Sequence, residues 1–109
     1  VLVFTVDLTV VASMDKELDR IGIISGASIY PFVWNVLLAA RQAGFGGTIT
    51  TIPVAQEPKL KELFNIPPEC AVCALLPLGK PVKQLTKLRR NSVEQIATRE
   101  RFDGDAFTV

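Results

Sequence analysis

The chain has 109 residues, enough for one domain with a single core and too few for two independent ones. Its composition is 49% hydrophobic and 21% charged with a net charge of +1, which excludes a disordered acidic chain and a globally basic one. Histidine is absent, so serine–histidine hydrolysis and histidine–zinc sites are excluded within this chain, and any chemistry must come from elsewhere, such as a cofactor.

The opening run VLVFTVDLTV, residues 1–10, is rich in Val and Leu and carries Asp7 as its only charge, which predicts a strand buried on at least one face. It lacks the basic n-region and the small-residue cleavage site of a secretory signal. With no initiator methionine, the chain reads as cut from something longer. The segment SMDKELDR, residues 13–20, is dense in charge and predicts a short solvated helical turn or a loop, with Ser13 available as a cap.

Residues 25–51, SGASIYPFVWNVLLAARQAGFGGTITT, predict the main helix. Ser25 or Ser28 can cap its free N–H groups, and Pro31 is tolerable only in or near the first turn, which fixes the start. Between Ile29 and Ala43 only Asn35, Arg41 and Gln42 are polar, so the helix is expected to be covered on nearly all sides, at the centre of the fold or in a dimer interface. Pro31, Asn35 and Arg41 keep the apolar run short of the roughly 18 residues of a membrane span, and a soluble, cytoplasmic protein is expected. Gly44 suits a left-handed C-cap, while Gly46 and Gly47 allow special dihedrals or the close approach of a ligand. GFGG is not a phosphate loop of the usual kind, because it follows a helix and lacks a Gly-Lys-Ser/Thr ending. TITT, residues 48–51, alternates and β-branches like a short strand that Pro53 ends.

EPKLKELFNIPP predicts a short helix with Pro58 in its first turn, Leu60, Leu63 and Phe64 on one face, and Asn65 as the stop. CAVCALL, residues 70–76, predicts a buried strand closed by a PLGKP turn. The CxxC spacing of Cys70 and Cys73 would suit a redox pair or half a zinc site, but in a strand residues three apart point to opposite faces. Both are read as buried small hydrophobes. From Lys80 to Arg90 there are five basic residues and no acidic one, which by itself reads as a solvated loop. The aromatics Phe4, Tyr30, Phe32, Trp34, Phe45 and Phe64 lie on apolar elements instead of interleaving with these charges, which argues against a nucleic-acid strip. The tail from Ser92 carries both signs and is expected to lie across another surface. Strands mixed with helices of unequal length predict an α+β domain.

In order, GASIYPFVWNVLLAARQAGFGGTITT, KELFNIPPECAVCALLPLGKP and RRNSVEQIATRERFDG resemble the C-terminal half of an FMN-dependent nitroreductase, over nearly the whole chain. The resemblance implies an α+β fold with a nitroreductase-like sheet and a long buried central helix, forming an intimate homodimer with FMN at the interface. The segment from residue 82 onward would pack on the partner. It further implies that NADH or NADPH reduces nitroaromatics, quinones or related electrophiles through two-electron flavin chemistry. By position, Thr50, Thr51 and Ile52 would hold the flavin ring largely through main-chain atoms, and Lys87 with Arg89 or Arg90 would reach the FMN phosphate. A flat apolar slot and a guanidinium fork are what such a ligand requires.

The family's N-terminal half, which supplies an arginine- and serine-rich segment to the phosphate and ribityl chain, has no counterpart in these residues. A partner copy, or a chain supplying that half, is therefore expected. The alternative reading is a half-domain without flavin that serves as an oligomerisation or interaction module.

Overall fold

The computed structural model describes residues 1–108. In chain order its regular elements are β1 (Leu2–Asp7), α1 (Ile29–Gln42), β2 (Gly46–Gly47), α2 (Glu57–Phe64), β3 (Cys70–Leu76) and β4 (Leu78–Gly79). Short 3-10 turns stand at Ile24–Gly26, Ile52–Gln56 and Val93–Gln95. The result is a small α+β chain with two antiparallel two-stranded sheets, β1–β3 and β2–β4.

β1 and β3 pair from Leu2 opposite Leu76 to Asp7 opposite Cys70. The register shifts between Phe4, opposite Ala74, and Thr5, opposite Val72, so Cys73 is the extra residue of a bulge. β1 stops short of the expected Val10 because the Asp7 carboxylate accepts hydrogen bonds from the Thr9 N–H (2.8 Å) and the Thr9 hydroxyl (2.6 Å). An Asx turn of this kind takes the backbone out of the extended conformation.

α1 lays one stripe on this sheet. Val33 is fully buried against Phe4, Ala74 and Leu76, flanked by the half-buried Ile29, Val36 and Leu37 at helical spacing. Pro31 stands in the first turn as expected, and Ser28 occupies the cap position without a side-chain hydrogen bond. At the other end Gly44 adopts φ +84°, and Phe45 and Gly44 donate to the carbonyls of Ala40 (2.9 Å) and Arg41 (3.0 Å). These are the two bonds of a Schellman stop, and the positive φ suits glycine.

The expectation of a helix covered on nearly all sides is met within the chain on one side only. Tyr30, Phe32, Trp34 and Leu38 of α1 are 44–55% exposed. TITT also departs from the expected strand: Gly46–Gly47 form β2 against β4, and only Thr50 joins the main sheet, by an isolated bridge to Leu75. The glycines pair because β4 crosses them closely. A Cβ on Gly47 would meet Leu78 Cδ2 at 2.5 Å and the Pro77 carbonyl at 2.8 Å. α2 follows its signals, with Pro58 in the first turn and Asn65 left-handed at φ 50°, ψ 43°. Leu63 and Phe64 are nonetheless exposed, and Leu60 is half-buried.

The chain leaves much of itself uncovered. Its accessible surface is 9027 Å², against about 5,900 Å² for a folded monomer of this size. Its radius of gyration is 17.9 Å, against about 13 Å for a compact domain of this length. No helix among the described residues is long and apolar enough to cross a membrane. The buried cluster is small, so each member matters: Leu76→Ala is expected to cost about 3 kcal/mol, read as a lowered urea midpoint, whereas Leu63→Ala on the exposed face of α2 should cost under about 1 kcal/mol.

Candidate functional site

The exposed side of α1, the glycine turn after it and the basic arm enclose a cleft of ≈ 390 Å³. Trp34, Leu37, Leu38 and Arg41 form the helical wall, one turn apart along the same side. Phe45, Gly46 and Gly47 form the floor, and the positions a Cβ would take on the two glycines are already filled by Pro81, Leu78 and Pro77. Leu85, Thr86, Leu88 and Arg90 form the opposite wall. The lining is therefore mostly apolar and aromatic, with guanidinium groups on two different walls.

Residues 82–91 are all exposed and carry no helix or strand. Leu85, Thr86, Leu88 and Arg90 line the cleft whereas Lys87 and Arg89 do not. Of the three cations expected at a phosphate, the structure thus brings Arg90 to the cleft and leaves Lys87 and Arg89 off its lining. Sequence reasoning missed Arg41, which lines the cleft and donates from Nη2 to the Leu85 carbonyl at 2.5 Å. Its signal was a lone guanidinium in the last turn of an otherwise apolar helix.

The threonines stand elsewhere. Thr50 exchanges both main-chain hydrogen bonds with Leu75, 3.0 Å for its N–H and 2.9 Å for its carbonyl, so its backbone is not available to a ring. The Thr51 carbonyl accepts from Val54 at 3.0 Å. The Thr51 N–H makes no hydrogen bond among the described residues, and Ile52 is 84% exposed. None of Thr50, Thr51 and Ile52 lines the cleft. Thr51 follows Gly47 by four residues, so at most about 14 Å of chain separates it from the cleft floor.

A second cleft of ≈ 340 Å³ lies under the loop between β1 and α1, lined by Val6, Leu8, Ile23, Tyr30 and Cys73 among others. Its roof is pinned by Asp15, whose carboxylate is only 5% exposed. That carboxylate accepts from Arg20 Nη1 (2.8 Å) and from the Ile23 (2.8 Å) and Ile24 (3.4 Å) N–H groups. The Ile23 N–H first, and then Arg20, hold the Asp15 pKa below the usual carboxylate value, against the opposing effect of its burial. Cys73 differs: burial, with the Glu57 charge adding to it, pushes its thiol above the ordinary value. Both cysteines are free, and a thiol so shifted is a poor nucleophile. Among the described residues there is no group of three or more His, Cys, Asp or Glu able to hold a metal.

Comparison with models of known protein families and with curated proteins finds no match for this chain.

Because the Asp15 pKa is depressed by folding, its stabilisation of the loop is fully present above the unfolded carboxylate value and is lost as pH falls through the lower folded value. Amide exchange at Ile23 and Ile24 should therefore stay slow from neutral pH down to the ordinary carboxylate range and quicken only below it. In Asp15→Asn these amides should exchange faster than in the wild type at neutral pH, relative to intrinsic rates, and the difference should close once pH falls below the folded value.

Proposed function

We propose that this chain is the C-terminal half of an FMN-dependent NAD(P)H oxidoreductase of the nitroreductase type. It would work as a homodimer, or with a chain that supplies the remaining half of the site. The observation that carries this reading is the cleft between α1, the Gly46–Gly47 floor and the arm, which combines a largely apolar lining with Arg41 from the helix and Arg90 from the arm. That donor set fits a planar aromatic ligand with an anionic group: Trp34 and Phe45 supply aromatic rings, and a guanidinium binds phosphate through paired N–H groups.

FMN would lie with its ring against Trp34, Phe45 and the glycine floor and its phosphate toward Arg90, with Lys87 and Arg89 next to it on the same arm. The Thr51 N–H is the remaining main-chain donor within reach of a ligand that extends beyond the cleft. When bound, the flavin supplies hydride acceptance from NADH or NADPH and electron delivery to an electrophile such as a nitroaromatic or quinone. The residues of the chain bind and orient it and keep water from one of its faces.

The surplus of about 3,000 Å² of exposed surface supports a partner, because obligate interfaces cover areas of this order. The apolar face of α1 would lie in that contact. The same surplus supports the second reading, a half-domain that only oligomerises. Sedimentation equilibrium at micromolar concentration should give a dimer, and a well-folded monomer would remove the homodimer from this reading.

The visible spectrum of the chain, after incubation with FMN and removal of free flavin, separates the two readings. A stoichiometric flavin band is expected; a folded dimer without one is the non-catalytic module. Arg90→Gln should weaken FMN binding about tenfold and leave riboflavin, which lacks the phosphate, nearly unchanged.

A further inference from the structure

We propose that Arg41 is a positioning residue that holds the basic arm, residues 82–91, on the end of α1 and thereby sets Arg90 at the cleft. The inference rests on the reading of the cleft as an anion-bearing flavin site. Its basis is independent of that reading: from Val82 to Asn91 every residue is exposed, and this stretch makes no backbone hydrogen bond to the rest of the chain among the described residues. Among the described residues, the bond from Arg41 Nη2 to the Leu85 carbonyl is the hydrogen bond that ties the stretch to α1.

The placement of Arg41 suits this role. It stands in the last turn of α1, where the unpaired carbonyls favour a cation, and the Schellman stop at Gly44 immediately after it fixes the helix end. A guanidinium carries several N–H groups in a rigid fork, so one can hold the Leu85 carbonyl while others face the cleft. Leu85 lies five residues before Arg90, and both line the cleft. Anchoring one end of the wall therefore limits where the phosphate-binding end can go. Lysine at position 41 would keep the charge without the fork.

The experiment uses the chain as it stands, with Arg41→Leu and Arg41→Lys beside the wild type, each first checked for the wild-type far-ultraviolet circular dichroism. Trypsin cleavage after Lys87, Arg89 and Arg90 reads the arm. Quenching of Trp34, the only tryptophan of the chain, reads FMN and riboflavin binding in the cleft. Arg41→Leu should be cleaved in the arm about tenfold faster and bind FMN about tenfold more weakly, with riboflavin changed far less. Arg41→Lys should fall between Arg41→Leu and the wild type in both readouts.

Unchanged arm cleavage in a folded Arg41→Leu overturns the tether, whatever the flavin result. Faster cleavage with unchanged FMN affinity overturns the positioning role and leaves the flavin reading intact. An equal loss of FMN and riboflavin also overturns it, because Arg41 would then act on the ring and not through the phosphate. A wild-type chain that binds neither ligand overturns the flavin reading and this inference together.

Discussion

Among the described residues, β3 is the one strand hydrogen-bonded along both of its edges, and the remaining structure hangs on that fact. On one edge it meets β1 from Cys70 to Leu76; on the other, Leu75 exchanges two bonds with Thr50 and the Val72 N–H donates to Glu57 Oε1 at 2.6 Å. A lone two-stranded ribbon is marginal in water. The second edge ties the segment after α1 and the first turn of α2 to the same strand, so the two helices and both sheets share one backbone. With the core reduced to Phe4, Val33, Ala74 and Leu76, directional bonds carry an unusual share of the specification.

The bulge at Cys73 follows from the same strand. A strand that alternated strictly from Cys70 to Leu76 would send Cys73 and Ala74 to opposite faces, yet both are buried. The extra residue lets Ala74 and Leu76 meet α1 while the Cys73 carbonyl turns to accept from the Tyr30 hydroxyl at 3.4 Å. The CxxC spacing is thereby absorbed by packing: a buried thiol with its pKa raised is inert where a redox thiol is exposed and acidic.

Local signals were legible in the sequence where local chemistry decides the outcome. Pro31, Gly44, Pro58 and Asn65 stand at the helix boundaries because ring closure and left-handed dihedrals depend on the residue itself. The apolar run at 70–76 is a strand for the same kind of reason. Long-range choices were not legible. TITT has the better strand propensity, but the glycines pair, because only they let β4 approach so closely. Asp15 looked like one more solvated charge in SMDKELDR, and its burial depends on Ile23 and Ile24 returning their N–H groups to it from eight and nine residues away. The cleft divides in the same way. Its cations were visible as a charge run, while the selection of Arg90 over Lys87 and Arg89 came from how the arm lies against α1, and Arg41 from a contact 44 residues long in sequence.

The energetics of the arm connect these features to the partner proposed above. Ordering ten residues of backbone costs on the order of 10–20 kcal/mol, whereas one hydrogen bond from a guanidinium returns about 1.5–3 kcal/mol. Arg41 can therefore choose the position of the arm but cannot hold it alone. Leu85 and Leu88 add apolar contact within the cleft, yet both remain over 60% exposed, so most of their surface is still in water. In the proposed assembly the missing free energy would come from surface that the single chain does not cover, and uncovered surface lies along the outer face of α1, the helix that forms the other wall of the cleft. A partner that packs on that face and over the arm would bury both at once. It would also lower the dielectric around Arg41 and Arg90, strengthening their hold on an anion. Assembly and ligand binding would then be coupled through one wall of one cleft.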